Sequence, residues 1–183
     1  MSQLQSVILS AVGRDRTGIV RAVSRVLFES GCNIEDSSMS ILAGEFAMIL
    51  VISLPKGKST AQLDRSFNKV RKELGLSIFL KSFHVKVKSR ALKSKSTHMV
   101  SVYGVDQPGI VYRVSDILAK KKINITDVNT RRIAQKNSYV YMMMLEVECP
   151  PAFAFETVKQ SLEVLSKKLN VTITSHPVET LTL

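Results

Sequence analysis

Apolar residues along the chain follow two periods, one of a strand and one of a helix, and the sequence runs through them twice. Residues 7–12 form a short β-rich run, followed by a Gly/Asp turn. Ile19, Val20, Val23, Val26 and Leu27 then recur at three- and four-residue spacing, which predicts an amphipathic helix with Gly31 as its C-terminal stop. Residues 37–42 and 46–54 read as two strands joined at Ala43-Gly44-Glu45. Leu63, Phe67, Val70 and Leu74 mark one second helix, and residues 77–87 a closing strand. The second pass has a strand at 99–103 and a helix on Ile110, Val111, Val114, Ile117 and Leu118. Strands at 128–134 and 138–149 follow, turning through Gln135-Lys136-Asn137. A helix on Val158, Leu162, Leu165 and Leu169 and a strand from Val171 to about 181 complete it. The order βαββαβ, twice, predicts an α+β fold: two tandem ferredoxin-like sandwiches, each with helices on one face of an antiparallel sheet. Residues 1–88 form the first expected domain and 97–183 the second, with a Lys- and Ser-rich linker at 89–96.

The repeat is visible in the letters as well as in the periods. Shifted by 91 residues, positions 13–36 lie over 104–127, and 11 of the 24 are identical. Chance from ordinary composition would give roughly one or two. The identities are Gly13/Gly104, Asp15/Asp106, Gly18/Gly109, Ile19/Ile110, Val20/Val111, Val23/Val114, Ser24/Ser115, Leu27/Leu118, Asn33/Asn124, Ile34/Ile125 and Asp36/Asp127. The second helices align at an offset of 95, which places a longer stretch between the helices of the second copy. Residues 46–52 are apolar at every position and 139–145 nearly so, whereas a strand with one wet face alternates. That pattern predicts that the sheet face opposite the helices is also covered, by domain packing or by a homo-oligomer.

Composition narrows the function classes. A 45% hydrophobic, 22% charged chain is globular. The formal charge of +11 admits nucleic acid as a partner. Much of the excess, however, falls in the linker region and at helix ends (Lys69, Arg71 and Lys72; Lys120 to Lys122; Lys167 and Lys168), where cations meet the negative end of the helix dipole. Cys32 and Cys149 occupy non-equivalent places in the repeat, so reduced thiols and a cytoplasmic location are expected. His84, His98 and His176 are scattered and neither cysteine has a close Cys or His partner, so no metal site is expected. No leader pattern opens the chain and no apolar run is long enough to cross a bilayer. No P-loop, nucleophile elbow, zinc motif or dinucleotide fingerprint is present, so no catalytic residue, no cofactor and no enzymatic activity is expected.

The segment Gly13-Arg14-Asp15-Arg16-Thr17-Gly18-Ile19-Val20 with Gly31-Cys32-Asn33-Ile34 resembles the ACT domain, a small-ligand-sensing module. Gly104-Val105-Asp106-Gln107-Pro108-Gly109-Ile110-Val111 with Asn124-Ile125 resembles it too. Thr17 stands where the pattern has Pro, and Lys122-Ile123 stand where it has Gly-x. The resemblance implies a ligand held between the first strand–helix turn of one domain and a facing domain, with the Asn that opens the second strand contributing. By position it implies Asp15, Gly18, Ile19, Asn33 and Ile34 in the first copy. In the second copy it implies Asp106, Gly109, Ile110, Asn124 and Ile125. Unpaired N–H groups at a helix start suit the carboxylate of an amino acid, glycine for example. A small-molecule effector and a protein partner, such as a transcription factor, follow from the resemblance.

Plainer roles stand beside these. Asp15 and Asp106 also fit as helix N-caps, Gly18 and Gly109 as turn residues, Ile19 and Ile110 as core, and Asn33 and Asn124 as left-handed helix ends. Two rival functions share the fold order. A dimerising or docking subunit needs no ligand. An RNA-binding module needs stacking aromatics on its third strand, where Tyr139 and Tyr141 are the only hint.

Overall fold

The computed structural model describes residues 5–83, 96–135, 138–150 and 153–178. The chain divides into two compact units, Met1–Lys88 and Ser89–Leu183. The expected linker at 89–96 lies outside the described residues except for Ser96, which opens a strand. The last parts of the two closing strands (84–87 and 179–181) and the turn residues 136–137 also lie outside them.

The first unit runs β1 (Gln5–Arg14), α1 (Ile19–Glu29), β2 (Asn33–Leu42), β3 (Glu45–Leu54), α2 (Thr60–Ser66), α3 (Asn68–Leu74) and β4 (Ser77–Phe83). The second runs β5 (Ser96–Val105), α4 (Ile110–Lys120), β6 (Asn124–Gln135), β7 (Ser138–Cys149), α5 (Glu156–Leu169) and β8 (Val171–Val178). Each sheet is antiparallel, in the orders β2-β3-β1-β4 and β6-β7-β5-β8. This is the ferredoxin-like βαββαβ sandwich, twice. Among the described residues no helix is long and apolar enough to cross a membrane.

The helical stripes are buried as their spacing requires. Ile19, Val23 and Leu27 of α1 pack on Val7, Leu9, Ala11 and Phe46, and Ile110, Val114 and Leu118 of α4 fill the same places in the second unit. The one second helix expected in the first copy is instead two, α2 and α3, joined at Phe67. Phe67 N–H bonds the Asp64 carbonyl at 3.1 Å, an i−3 bond that tightens the chain there. The Arg71 guanidinium spans the junction, donating to the Asp64 carbonyl and carboxylate, to Asn68 and to the Ile78 carbonyl.

Both first helices end in the same way. Cys32 N–H bonds Leu27 O and Gly31 N–H bonds Phe28 O, with Gly31 at φ 70. Ile123 and Lys122 make the matching bonds to Leu118 and Ala119, with Lys122 at φ 58. This is a Schellman end, and its left-handed residue is glycine in one copy and lysine in the other. Asn33 and Asn124 therefore do not supply the left-handed end. They lie two residues further on, at the start of β2 and β6. Lys122→Gly is expected to stabilise the second unit by about 0.5–1 kcal/mol, because only a side chain makes this φ costly. A rise in the denaturant midpoint checks it.

The length difference between the copies lies in one hairpin. Leu42 pairs Glu45 across two residues, whereas Ile133 pairs Val140 across six, and Arg14 and Val105 pair with Glu45 and Val140 respectively. The four extra residues thus extend the β6–β7 hairpin. The shorter one turns through Ala43 and Gly44, both at positive φ, the geometry of a two-residue turn that suits twisted strands.

The continuous apolar strands do alternate in burial. Phe46, Met48, Leu50 and Ile52 are buried under the helices, while Ile49 on the opposite face is 55% exposed. In β7, Met143 and Leu145 are buried and Met144 is 49% exposed. Helices cover one face of each sheet, and apolar residues occupy both.

Candidate functional site

The first-strand turns are built by position-specific contacts at both ends. Asp15 N–H bonds Gly44 O at 2.8 Å, and Asp106 N–H bonds Tyr139 O at 2.9 Å, so the hairpin tips hold the turns. The next side chain ties each turn to the far end of the second helix. Gln107 Nε2 donates to Leu169 O at 2.6 Å, and Arg16 Nη1 reaches Glu73 O at 3.5 Å. These carbonyls belong to the last turns of α5 and α3, which lack intrahelical donors.

Neither repeated aspartate caps its helix. The N-caps are Gly18 and Gly109, left-handed at φ 98 and φ 93, with no side-chain cap bond. The first intrahelical bonds are Ala22 N–H to Gly18 O and Arg113 N–H to Gly109 O. The N–H groups of Ile19, Val20 and Arg21, and of their counterparts, therefore have no intrahelical acceptor. A Cβ on Gly18 would meet nothing within 4 Å, so backbone conformation and not crowding is what calls for glycine there. Arg14, Arg16 and Arg21 are all exposed around the first turn, and with the helix dipole they favour an anion.

The predicted site residues fall into two groups. Asp15 and Gly18 lie at the N-terminal end of α1, beside the hairpin tip. Asn33 and Ile34 open β2, where they pair with Ser53 and Ile52 at the other end of the sheet. An 11-residue helix separates the groups, about 16 Å at 1.5 Å per residue. Asp106 and Gly109 are separated from Asn124 and Ile125 in the same way by α4. Within one unit, the structure does not bring turn and asparagine together. Ile19 and Ile110 are buried core residues. What they offer a ligand is the main-chain N–H.

Between the two groups lies a groove. In the first unit β2 is an edge strand with all ten residues exposed. A cavity of about 140 Å³ opens between it and α1, reaching from Val20 to Ile34. The repeated Asp36 and Asp127 follow a β-bulge found in both units, between Ile34 and Asp36 and between Ile125 and Asp127. Asp36 accepts the Ser37 N–H at 2.7 Å, and Asp127 accepts the Asn129 amide at 2.6 Å. The bulge gives these aspartates a structural setting that spacing alone had not supplied.

The second turn has a neighbour that sequence reading missed. Arg132 Nη1 stands 3.5 Å from Asp106 Oδ2, and its guanidinium lies 4.2 Å above the Tyr139 ring. Ile41 occupies the equivalent strand position in the first unit, as the partner of Phe46 where Arg132 partners Tyr141. No repeat signal could find a residue that only one copy has. Tyr141 packs against the helix-side core and Tyr139 lies under Arg132, so neither is offered on the open sheet face for base stacking.

One expectation about side-chain chemistry needs correction. Cys149 does have a histidine neighbour, since its Sγ lies 3.9 Å from His98 Nδ1. The two are 51 residues apart, and the β5–β7 register joins them by pairing Ser96 with Cys149. Among the described residues no group of three metal-ligating side chains forms; His84 lies outside them. Burial pushes the Cys149 thiol up, away from a reactive thiolate.

His98 also stacks on Phe155, centroids 4.0 Å apart. Burial lowers its pKa from the ordinary 6.5, and a hydrogen bond that the ring donates to the Ser96 backbone carbonyl opposes this more weakly. A lowered folded pKa means that the fold prefers neutral imidazole. This stability is complete above the unfolded value and is lost as pH falls through the folded one. The second unit is therefore expected to lose stability between pH 7.5 and 5, and less so in His98→Phe, which keeps the stack. Urea midpoints at the two pH values check it.

Comparison with known proteins agrees with this architecture. The ACT domain family model matches residues 5–81 and again 96–176. The glycine cleavage system transcriptional repressor of Escherichia coli is 23% identical over 172 residues, 93% of this chain and 88% of that protein. A UPF0237 protein of Methanocaldococcus jannaschii is 37% identical over 78 residues, 42% of this chain and 87% of its own length. A crystal structure of an unknown protein from Galdieria sulphuraria superposes with a TM-score of 0.80 at 28% identity, covering 97% of this chain and all of its own. A repeated turn, helix and sheet order, matched twice by one family model, leads to one assignment: the chain belongs to the ACT-domain family, with two copies of the domain in tandem.

Proposed function

We propose that this chain is a non-catalytic regulatory protein that senses a small effector, an amino acid such as glycine, and passes its state to a protein partner. The observation that carries the reading is the same uncapped turn in both units. Each ends in a left-handed glycine that makes no side-chain cap bond, and among the described residues no side chain accepts from the first-turn N–H groups. Backbone donors of that kind suit a carboxylate. Because the turn and the Asn lie at opposite ends of a helix, a ligand touching both draws on a second copy of the chain. An effector that binds one arrangement better than another shifts the population toward it. The E. coli relative is by name a transcriptional repressor, which supports a transcription regulator as the partner class.

A thermal-shift screen against the twenty amino acids tests this. A ligand at a hundred times its Kd stabilises the folded state by about 2.7 kcal/mol, a readable rise in Tm. Calorimetry on hits should show weaker binding in Asn33→Ala or Asn124→Ala. No shift at millimolar ligand overturns the reading in favour of a docking subunit. That second reading has its own support: Ile49, Phe79, Tyr103, Met142 and Met144 lie exposed on the faces opposite the helices, an apolar surface suited to a protein contact.

A further inference from the structure

The groove between α1 and β2 points to what the first unit selects. Its floor is Val23, Met48 and Leu50, its walls are Val20, Ile34 and Met39, and among the described residues no charged side chain lines it. The exposed strand explains why it stays open, since α1 covers β3 and β1 and leaves β2 uncapped. A volume of about 140 Å³ holds four or five groups the size of a water, at about 30 Å³ each. That is the bulk of a three- or four-carbon aliphatic side chain. Glycine would leave it unfilled.

The second unit repeats Val20 and Ile34 as Val111 and Ile125 but changes the third wall, Met39. Thr130 pairs Met143 where Met39 pairs Met48. Arg132, engaged with Asp106 and Tyr139, stands where the first unit has Ile41. The two copies thus share a turn and differ in what lies beside it.

We infer that the α1–β2 groove is a side-chain subsite, so that the first unit takes an amino acid with an aliphatic side chain, of the leucine or valine class, in preference to glycine. This rests on the effector reading above. Each buried carbon strengthens binding roughly three- to fourfold, so L-leucine is expected to bind tenfold or more tighter than glycine. Met39 is half exposed, so replacing it does not threaten the core.

The test is calorimetry of the full chain with L-leucine, L-valine and glycine, comparing wild type with Met39→Thr and Met39→Leu. Hydrogen exchange over residues 20–24 and 34–39 locates the footprint. Support is a leucine preference that falls severalfold in Met39→Thr, survives in Met39→Leu, and protects those segments. Glycine binding as tightly as leucine, or a leucine affinity indifferent to Met39→Thr, overturns this inference and leaves the effector reading standing. If none of the three probes binds at millimolar concentration, the inference falls; the effector reading falls with it only if the wider screen is also empty. If Met39→Thr alters sedimentation and not leucine binding, the groove is a protein interface and the inference fails.

Discussion

Replacing Phe67 with alanine is expected to destabilise the first unit by about 3–5 kcal/mol, the range for truncating a fully buried aromatic side chain. Phe67 is among the largest side chains with essentially no exposure. It joins the core cluster at the point where α2 gives way to α3. Neither short helix reaches the length at which an isolated helix is stable, so their docking depends on this contact and on Leu63 and Val70 beside it. The cavity left by alanine cannot close without moving a helix, and Arg71 ties that junction to the Ile78 carbonyl. The measurement is amide exchange across β1 and β3, which should accelerate a hundredfold or more. A cost under about 1 kcal/mol would mean that the junction repacks freely.

The second large effect is expected at a glycine. Gly104→Ala should cost about 1–3 kcal/mol through overpacking. A Cβ there would lie 2.7 Å from Val171 Cγ1 and 3.0 Å from Val171 Cα, so β5 and the start of β8 must separate. The equivalent Gly13→Ala meets Leu76 Cδ2 at 2.9 Å, the end of a flexible side chain, and Gly75 O at 3.0 Å. It should cost less. The paired substitutions share their strand position and differ in the atoms opposite, which makes each a control for the other. Denaturant midpoints decide it, and a neutral or stabilising Gly104→Ala would sink the argument. The repeated Gly13/Gly104 identity thus has a packing cause separate from any ligand.

Much of the candidate site was legible as position and little of it as geometry. The repeated turn could be read because identity at fixed spacing survives in the letters. That Asp15 and Asp106 are not N-caps could not be read, because Asp is a preferred cap and only the φ of Gly18 and Gly109 shows which residue takes that place. The Arg132–Asp106–Tyr139 arrangement had no signal, because the arginine stands in one copy where the other has Ile41. The Cys149–His98 approach was hidden by a separation of 51 residues.

The sequence by itself determined the two copies, the βαββαβ order, the residues each first helix buries and the place of the shared turn. All of these are local or periodic properties, carried by residues within a few positions of one another or by one segment set over its copy. The tertiary structure alone decided which side chains meet. Strand register put the extra residues into the β6–β7 hairpin, placed the repeated aspartates after a bulge, and left β2 as an exposed edge beside an apolar groove. It also separated the turn from the asparagine by the length of α1. Sequence proximity and repeat identity had joined them, but a helix holds its two ends apart however closely their residues are related in the sequence.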